Sequence, residues 1–258
     1  MIILKNILRS ETERIFKRKK TWIGIGIYLL LIGFQCLFLS TFGGVAFYSP
    51  EEEVTLNALN TAPFLLRELG LFLLFILIPM LVVDSFNGEY TSGAYRMVLL
   101  RSVQRGKLFL AKIIVLSIIV FLLLMITMTA GIIYGNIAFP HVDETTFLDT
   151  AVLQPLAAYG YVLLYYLTAF LILFSAMMIG SLISIILPNM ILAYIGIIGF
   201  LVGSIYISDY MVFFLSMADT IFVLLAGQKR MMFLVILFLI LGSYILNIGI
   251  WKKRDWIG

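Results

Sequence analysis

Few side chains in this sequence are equipped for chemistry, and their spacing argues against most of it. The one histidine, His141, stands in "FPHVDETTFLD" beside Asp143 and Glu144, whereas a zinc site takes three or four ligands at workable spacing. That trio reads as a solvated loop. One histidine cannot build an HExxH zinc site, and Cys36 has no second thiol for a cluster or a disulfide. The stretch "RGKLF" pairs Gly106 with Lys107, but it lacks the upstream glycine and the following Ser or Thr of a phosphate-cradling loop. No catalytic, cofactor-binding or metal-ligating residue is assigned, and the chain is not expected to be an enzyme or to hydrolyse ATP by itself.

What remains is charge placed at the edges of apolar segments. Arg67 and Glu68 fall inside one such segment. Consecutive helix residues do not face each other, so they are not expected to pair. Arg67 sits about 7.5 Å deep by helical rise, shallow enough to snorkel to the surface or to make a polar contact in a substrate path. Asp219 marks a turn between two short apolar pieces, and with Arg67 and Glu68 it is the candidate outer gate. The longest polar interruption, "DSFNGEYTSGAYRMVLLRSVQRGKLFLAK" from Asp84 to Lys112, carries five basic and two acidic residues. Its Met97–Leu100 cluster precedes Arg101, and Arg105, Lys107 and Lys112 follow. Such a segment either offers a short amphipathic helix to a protein partner or is a basic loop that fixes topology.

The elements that must position these residues are membrane helices. Of 258 residues 62% are hydrophobic and 12% charged, against about 25% charged in soluble domains. Six apolar runs approach the roughly 20 residues that cross a bilayer: Thr21–Phe42, Pro63–Val83, Phe109–Tyr134, Leu156–Ser181, Met190–Ile207 and Met231–Ile250. None alternates as barrel strands do. The expected fold is all-α, a single polytopic membrane domain over residues 1–258. With both termini on one side, 15 of the 18 Lys and Arg fall on that side and 3 on the other, so the positive-inside rule puts both termini in the cytoplasm. Nine of the 14 acidic residues then lie outside.

Two further segments flank the spans. The first twenty residues place Ile3, Leu4, Ile7, Leu8 and Ile15 on one side, with Lys5, Arg9 and Lys17 away from it and Glu11 interrupting the stripe. An amphipathic helix in the inner headgroup layer fits this pattern; a plain basic stop before the first span is the alternative. No small-residue cleavage site follows, so the first span is expected to be retained. Residues 208–230, "SDYMVFFLSMADTIFVLLAGQKR", are too broken to span and too apolar for an open loop. They are expected to form a re-entrant pair of short helices in the outer leaflet.

The register Glu89, Gly93, Leu99-Leu100, Arg105, Lys112 resembles the first cytoplasmic loop of type-2 (ABC-2) ATP-binding-cassette permeases. The overall plan is similar too, most of all to the short bacterial permeases of the bacitracin-resistance type. Ala94 stands where that loop usually has threonine, and Ser102 where it usually has proline. The resemblance implies a permease subunit in a bacterial plasma membrane. Its dimeric cytoplasmic ATPase would carry the ATP and magnesium on a separate chain, and a second permease, identical or related, would complete the path. In that reading the loop over 84–109 is a coupling element built on Glu89, Gly93, Leu99, Leu100, Arg101, Arg105 and Lys112. The implied cargo is a peptide antibiotic, a lipid or another amphipathic compound, moved outward. The alternative is a non-transporting sensor or immunity protein that binds a peptide or lipid-linked ligand at its acidic outer face. An ion-coupled carrier fits less well, since the spans carry no deep acidic residue.

Overall fold

The computed structural model describes residues 2–41, 46–48, 53–93, 104–148 and 150–253. The fold is all-α. Helix α1 covers Ile2–Lys17 and α2 Lys19–Thr41; a small antiparallel hairpin, β1 (Ala46–Tyr48) with β2 (Glu53–Thr55), follows in register Phe47↔Val54. Then come α3 (Thr61–Thr91), α4 (Arg105–Ala138), α5 (Pro155–Ile186), α6 (Met190–Ile207), α7 (Met217–Leu225) and α8 (Met231–Lys253). Six of these, α2 to α6 and α8, are long and apolar enough to cross a membrane. Pro155 opens α5 in the first turn, where its missing N–H costs nothing. The side chain of Asn189 caps α6 by accepting the Leu192 N–H at 2.8 Å.

The core runs along α3, α4 and α5, where Leu65, Leu66, Leu74, Leu116, Leu124 and Ile172 are fully enclosed. Helices α2, α6 and α8 lie outside them and turn side chains such as Leu30, Ile191 and Phe238 outward. Two glycines set how closely the centre packs. A Cβ on Gly131 would meet Ala62 Cα at 2.6 Å, and one on Gly135 would meet the Ala58 carbonyl oxygen at 2.8 Å. Close backbone approach through small residues is how helices associate where lipid removes the hydrophobic drive.

Helix α3 differs most from expectation. It runs well past Val83, through Asp84 and Glu89 to Thr91, so much of the stretch expected to be a loop over 84–109 is helix. On the far side α4 already begins at Arg105. An apolar-run criterion measures hydrocarbon thickness and not helix length, and here Ser85, Asn87 and Glu89 continue the helix because each is buried against protein. Asn87 Nδ2 donates to the Ser184 and Leu187 carbonyls, at 3.0 and 2.7 Å, which the end of α5 leaves without helical partners.

The helix also has two wide, π-type turns, Leu73–Leu77 and Asp84–Gly88. Between them Pro79 has no N–H for the Phe75 carbonyl four residues back. Tyr194 Oη of α6 donates to that carbonyl at 3.0 Å, the kind of substitution that makes proline tolerable in a membrane helix.

Residues 208–230 form a 3-10 segment, Asp209–Phe214, followed by α7. Two short helical pieces are present, but the break between them falls at Leu215–Ser216, and Asp219, expected to mark the turn, lies in the first turn of α7. Their apolar faces, including Phe213, Phe214, Ile221 and Phe222, are buried inside the protein, and Tyr165 Oη of α5 donates to the Ala218 carbonyl at 3.1 Å.

Candidate functional site

Glu11, Ile7 and Ile15 share one face of α1 at four-residue spacing, and all three are buried. Glu11 therefore does not interrupt the stripe; it is the polar centre of a face that packs on α4. Directly opposite stands Lys112, with a side chain fully enclosed. Lys112 Nζ donates to Glu11 Oε2 at 2.7 Å and to Glu89 Oε2 at 2.6 Å. Arg14 Nη1 reaches Glu11 Oε1 and Glu89 Oε2, both at 3.0 Å. Arg18 donates through Nη2 to Glu89 Oε1 and through Nη1 to Ser85 Oγ, the latter at 3.4 Å.

Three cations and two carboxylates thus close into one network across α1, α3 and α4. Glu89 is its hub, accepting from Arg14, Arg18 and Lys112. Removing ions from water costs several kcal/mol each, and only short, charge-assisted hydrogen bonds on several sides offset it. Beneath the network Phe86, Phe109 and Trp251 pack ring to ring with centroids 5.9 to 6.2 Å apart, joining α8 to the same end. A cavity of about 370 Å³ opens above it, bordered by Arg14, Arg18, Lys20, Asp84, Glu89 and Met190. The network ties α1 to the end of α3 and the start of α4, the two helices that flank residues 94–103.

Of the residues singled out in the sequence, Glu89 and Lys112 meet here. Gly93 lies just beyond: it takes φ +73°, a backbone conformation that suits glycine, and its N–H reaches the Tyr90 carbonyl at 3.1 Å as the helix ends. Arg105 starts α4 apart from the network and donates to the Lys252 carbonyl at 3.4 Å. Leu99, Leu100 and Arg101 lie outside the described residues. Glu11, Arg14 and Arg18 complete the network and are not found by sequence reasoning. The available signal is a carboxylate on an otherwise apolar helix face and a lysine within an apolar span, each of which needs a buried partner of opposite sign.

At the other end of α3, Arg67 Nε lies 3.3 Å from Asp219 Oδ1 on α7. Arg67 and Glu68 do not form the pair, in line with their adjacent positions. Arg67, Glu68, Asp219, Leu71, Leu74 and Leu215 border a cavity of about 170 Å³. Residues 67 and 89 are separated by about 33 Å of helical rise, so α3 carries an ionic contact at each of its ends.

No curated protein matches the chain. The model of a family described as proteins of unknown function, DUF2705, matches residues 28–257, which takes in Glu89 and Lys112 while α1 precedes the match. Because the match covers all of α3 to α8 and most of α2, the chain belongs to the DUF2705 family.

Proposed function

We propose that this chain is the membrane-spanning permease subunit of an ATP-driven exporter, with both termini in the cytoplasm of a bacterial cell and its ATPase on a separate chain. The single observation that carries the reading is the buried network of Glu11, Arg14, Arg18, Glu89 and Lys112. A free topological loop needs no such anchor. A segment that receives force does, because displacement of its contact surface is useful only if the helices behind it move as one body.

In this reading the segment between α3 and α4 and the exposed side of α1 meet the ATPase dimer, which holds ATP and magnesium. Arg105 and Arg101 contribute to that contact, while Glu89 and Lys112 hold the elements in place. A second permease, identical or related, completes the path. Residues 208–230 form the outer re-entrant hairpin, and Arg67, Glu68 and Asp219 act as a polar latch between it and α3. Energy reaches the cargo only as a difference in binding between inward-open and outward-open states. The distribution of basic residues supports the orientation, and the resemblance of Glu89, Gly93, Arg105 and Lys112 to the coupling loop of ABC-2 permeases supports the reaction class. A peptide antibiotic, a lipid or a similar amphipathic compound is the proposed cargo.

The test is purification of the tagged chain from its own host in mild detergent, with mass spectrometry of what accompanies it in stoichiometric amount. A cytoplasmic ATPase with a phosphate-binding loop is expected. Repeated recovery of the chain alone would overturn the proposal in favour of a sensor or immunity protein.

A further inference from the structure

A groove descends between α4 and α8 from the same end of the bundle as the ion network. Its mouth is a cavity of about 530 Å³ with Arg105, Lys107 and Lys252 on the rim and Leu110 and Ile248 on the floor. No Asp or Glu borders it among the described residues. Leu110 is shared with a second cavity of about 300 Å³, bordered by Ile113, Ile114, Phe174, Ile240 and Tyr244. Ser117 also borders this deeper part, but its hydroxyl donates to the Ile113 carbonyl at 2.7 Å, which leaves the cleft apolar. The groove is therefore cationic at the helix ends and hydrocarbon-like further in. From Arg105 to Ile118 α4 rises roughly 20 Å, about the depth of one leaflet with its headgroups.

We propose that this groove is a binding site for an anionic phospholipid, the phosphate held between Lys107 and Lys252 and one acyl chain lying in the cleft below Leu110. The complementarity is twofold, since a free phosphate satisfies only the rim and a neutral lipid only the cleft. Basic pockets between membrane helices at a headgroup surface are suited to such lipids. The site shares no residue with the ion network around Lys112, and it stands whether or not the chain moves a cargo.

The test uses the full chain in lipid nanodiscs of equal phosphatidylglycerol and phosphatidylcholine with matched acyl chains, followed by release into detergent and native mass spectrometry of retained lipid. Preferential retention of phosphatidylglycerol is expected. Lys107→Gln and Lys252→Gln, both at exposed side chains, are each expected to lower that preference about five-fold, the effect of one basic residue near an anionic surface. Ile114→Trp, which fills the cleft, is expected to lower retention of both lipids. Equal retention of the two lipids by the wild-type chain, or an unchanged preference in the double lysine variant, would overturn the proposal. So would thermal stabilisation by inorganic phosphate equal to that by phosphatidylglycerol, since the site would then take an anion alone.

Discussion

Lys112 and Glu11 stand 101 residues apart in the chain, yet their side chains meet at 2.7 Å with both enclosed by protein. Losing one partner of a buried ion pair leaves the other charged and unsolvated, which costs about 3–5 kcal/mol. Lys112→Met is expected to destabilise the chain by about that much. Adding Glu11→Gln to Lys112→Met should recover part of the loss. Equilibrium unfolding in detergent micelles measures both, and a Lys112→Met protein as stable as the wild type would refute the network's role.

Glu89 and Arg105, joined in one coupling region by their sequence context, should separate in experiment. Glu89→Ala strips the hub from three cations, so reduced yield and a lowered melting temperature are expected. Arg105 stands apart from that network and reaches the Lys252 carbonyl at 3.4 Å; Arg105→Ala should keep the wild-type fold and lose ATPase association. Co-purification of the partner ATPase, alongside a melting curve, distinguishes the two.

Gly131 should not tolerate a methyl group. Its Cβ would fall 2.6 Å from a backbone atom, Ala62 Cα, which cannot rotate away. Overpacking of this kind costs about 1–3 kcal/mol. Gly26, where an added Cβ would meet nothing within 4 Å, is the control, and Gly26→Ala should be neutral or slightly stabilising. Melting temperatures of the two variants decide the point.

Tyr194→Phe should cost about 1–3 kcal/mol by leaving the Phe75 carbonyl unsatisfied. The same change in a Pro79→Ala background should cost less, because the restored N–H can serve that carbonyl. A double-mutant cycle on unfolding free energy gives the coupling, and strictly additive effects would rule out the shared carbonyl.

Cysteine labelling tests the proposed orientation. In a Cys36-free background, Asp219→Cys should react with a membrane-impermeant maleimide in intact cells, and Lys107→Cys only after the cells are opened. The reverse pattern would invert the topology.

The six long apolar helices are legible in the sequence because hydropathy over a span is a local sum. The reach of α3 beyond Val83 is not, because Ser85, Asn87 and Glu89 look like loop residues until the surfaces that bury them are known. Lys112 stands out as part of a loop register, but its partner Glu11 looks like a flaw in an amphipathic stripe. Local periodicity describes which face a residue occupies and is silent on what lies across from it. Arg67 and Asp219 each stand out as charges among apolar residues, and their pairing depends on where α7 packs against α3, which no local pattern encodes.

The glycine contacts between α3 and α4 have a mechanical consequence. Gly131 meets Ala62 within α3, and Gly135 meets Ala58 in the turn just before it, so α4 touches backbone at both places and cannot slide along α3 without steric collision. The pair is therefore splinted at this end, and bending along α3 falls to its wide turns at Leu73–Leu77 and Asp84–Gly88 or to the outer helices α2, α6 and α8. Spin labels on the exposed sides of α3 and α4 at this end should keep a fixed separation through any working cycle, while either label moves relative to α6.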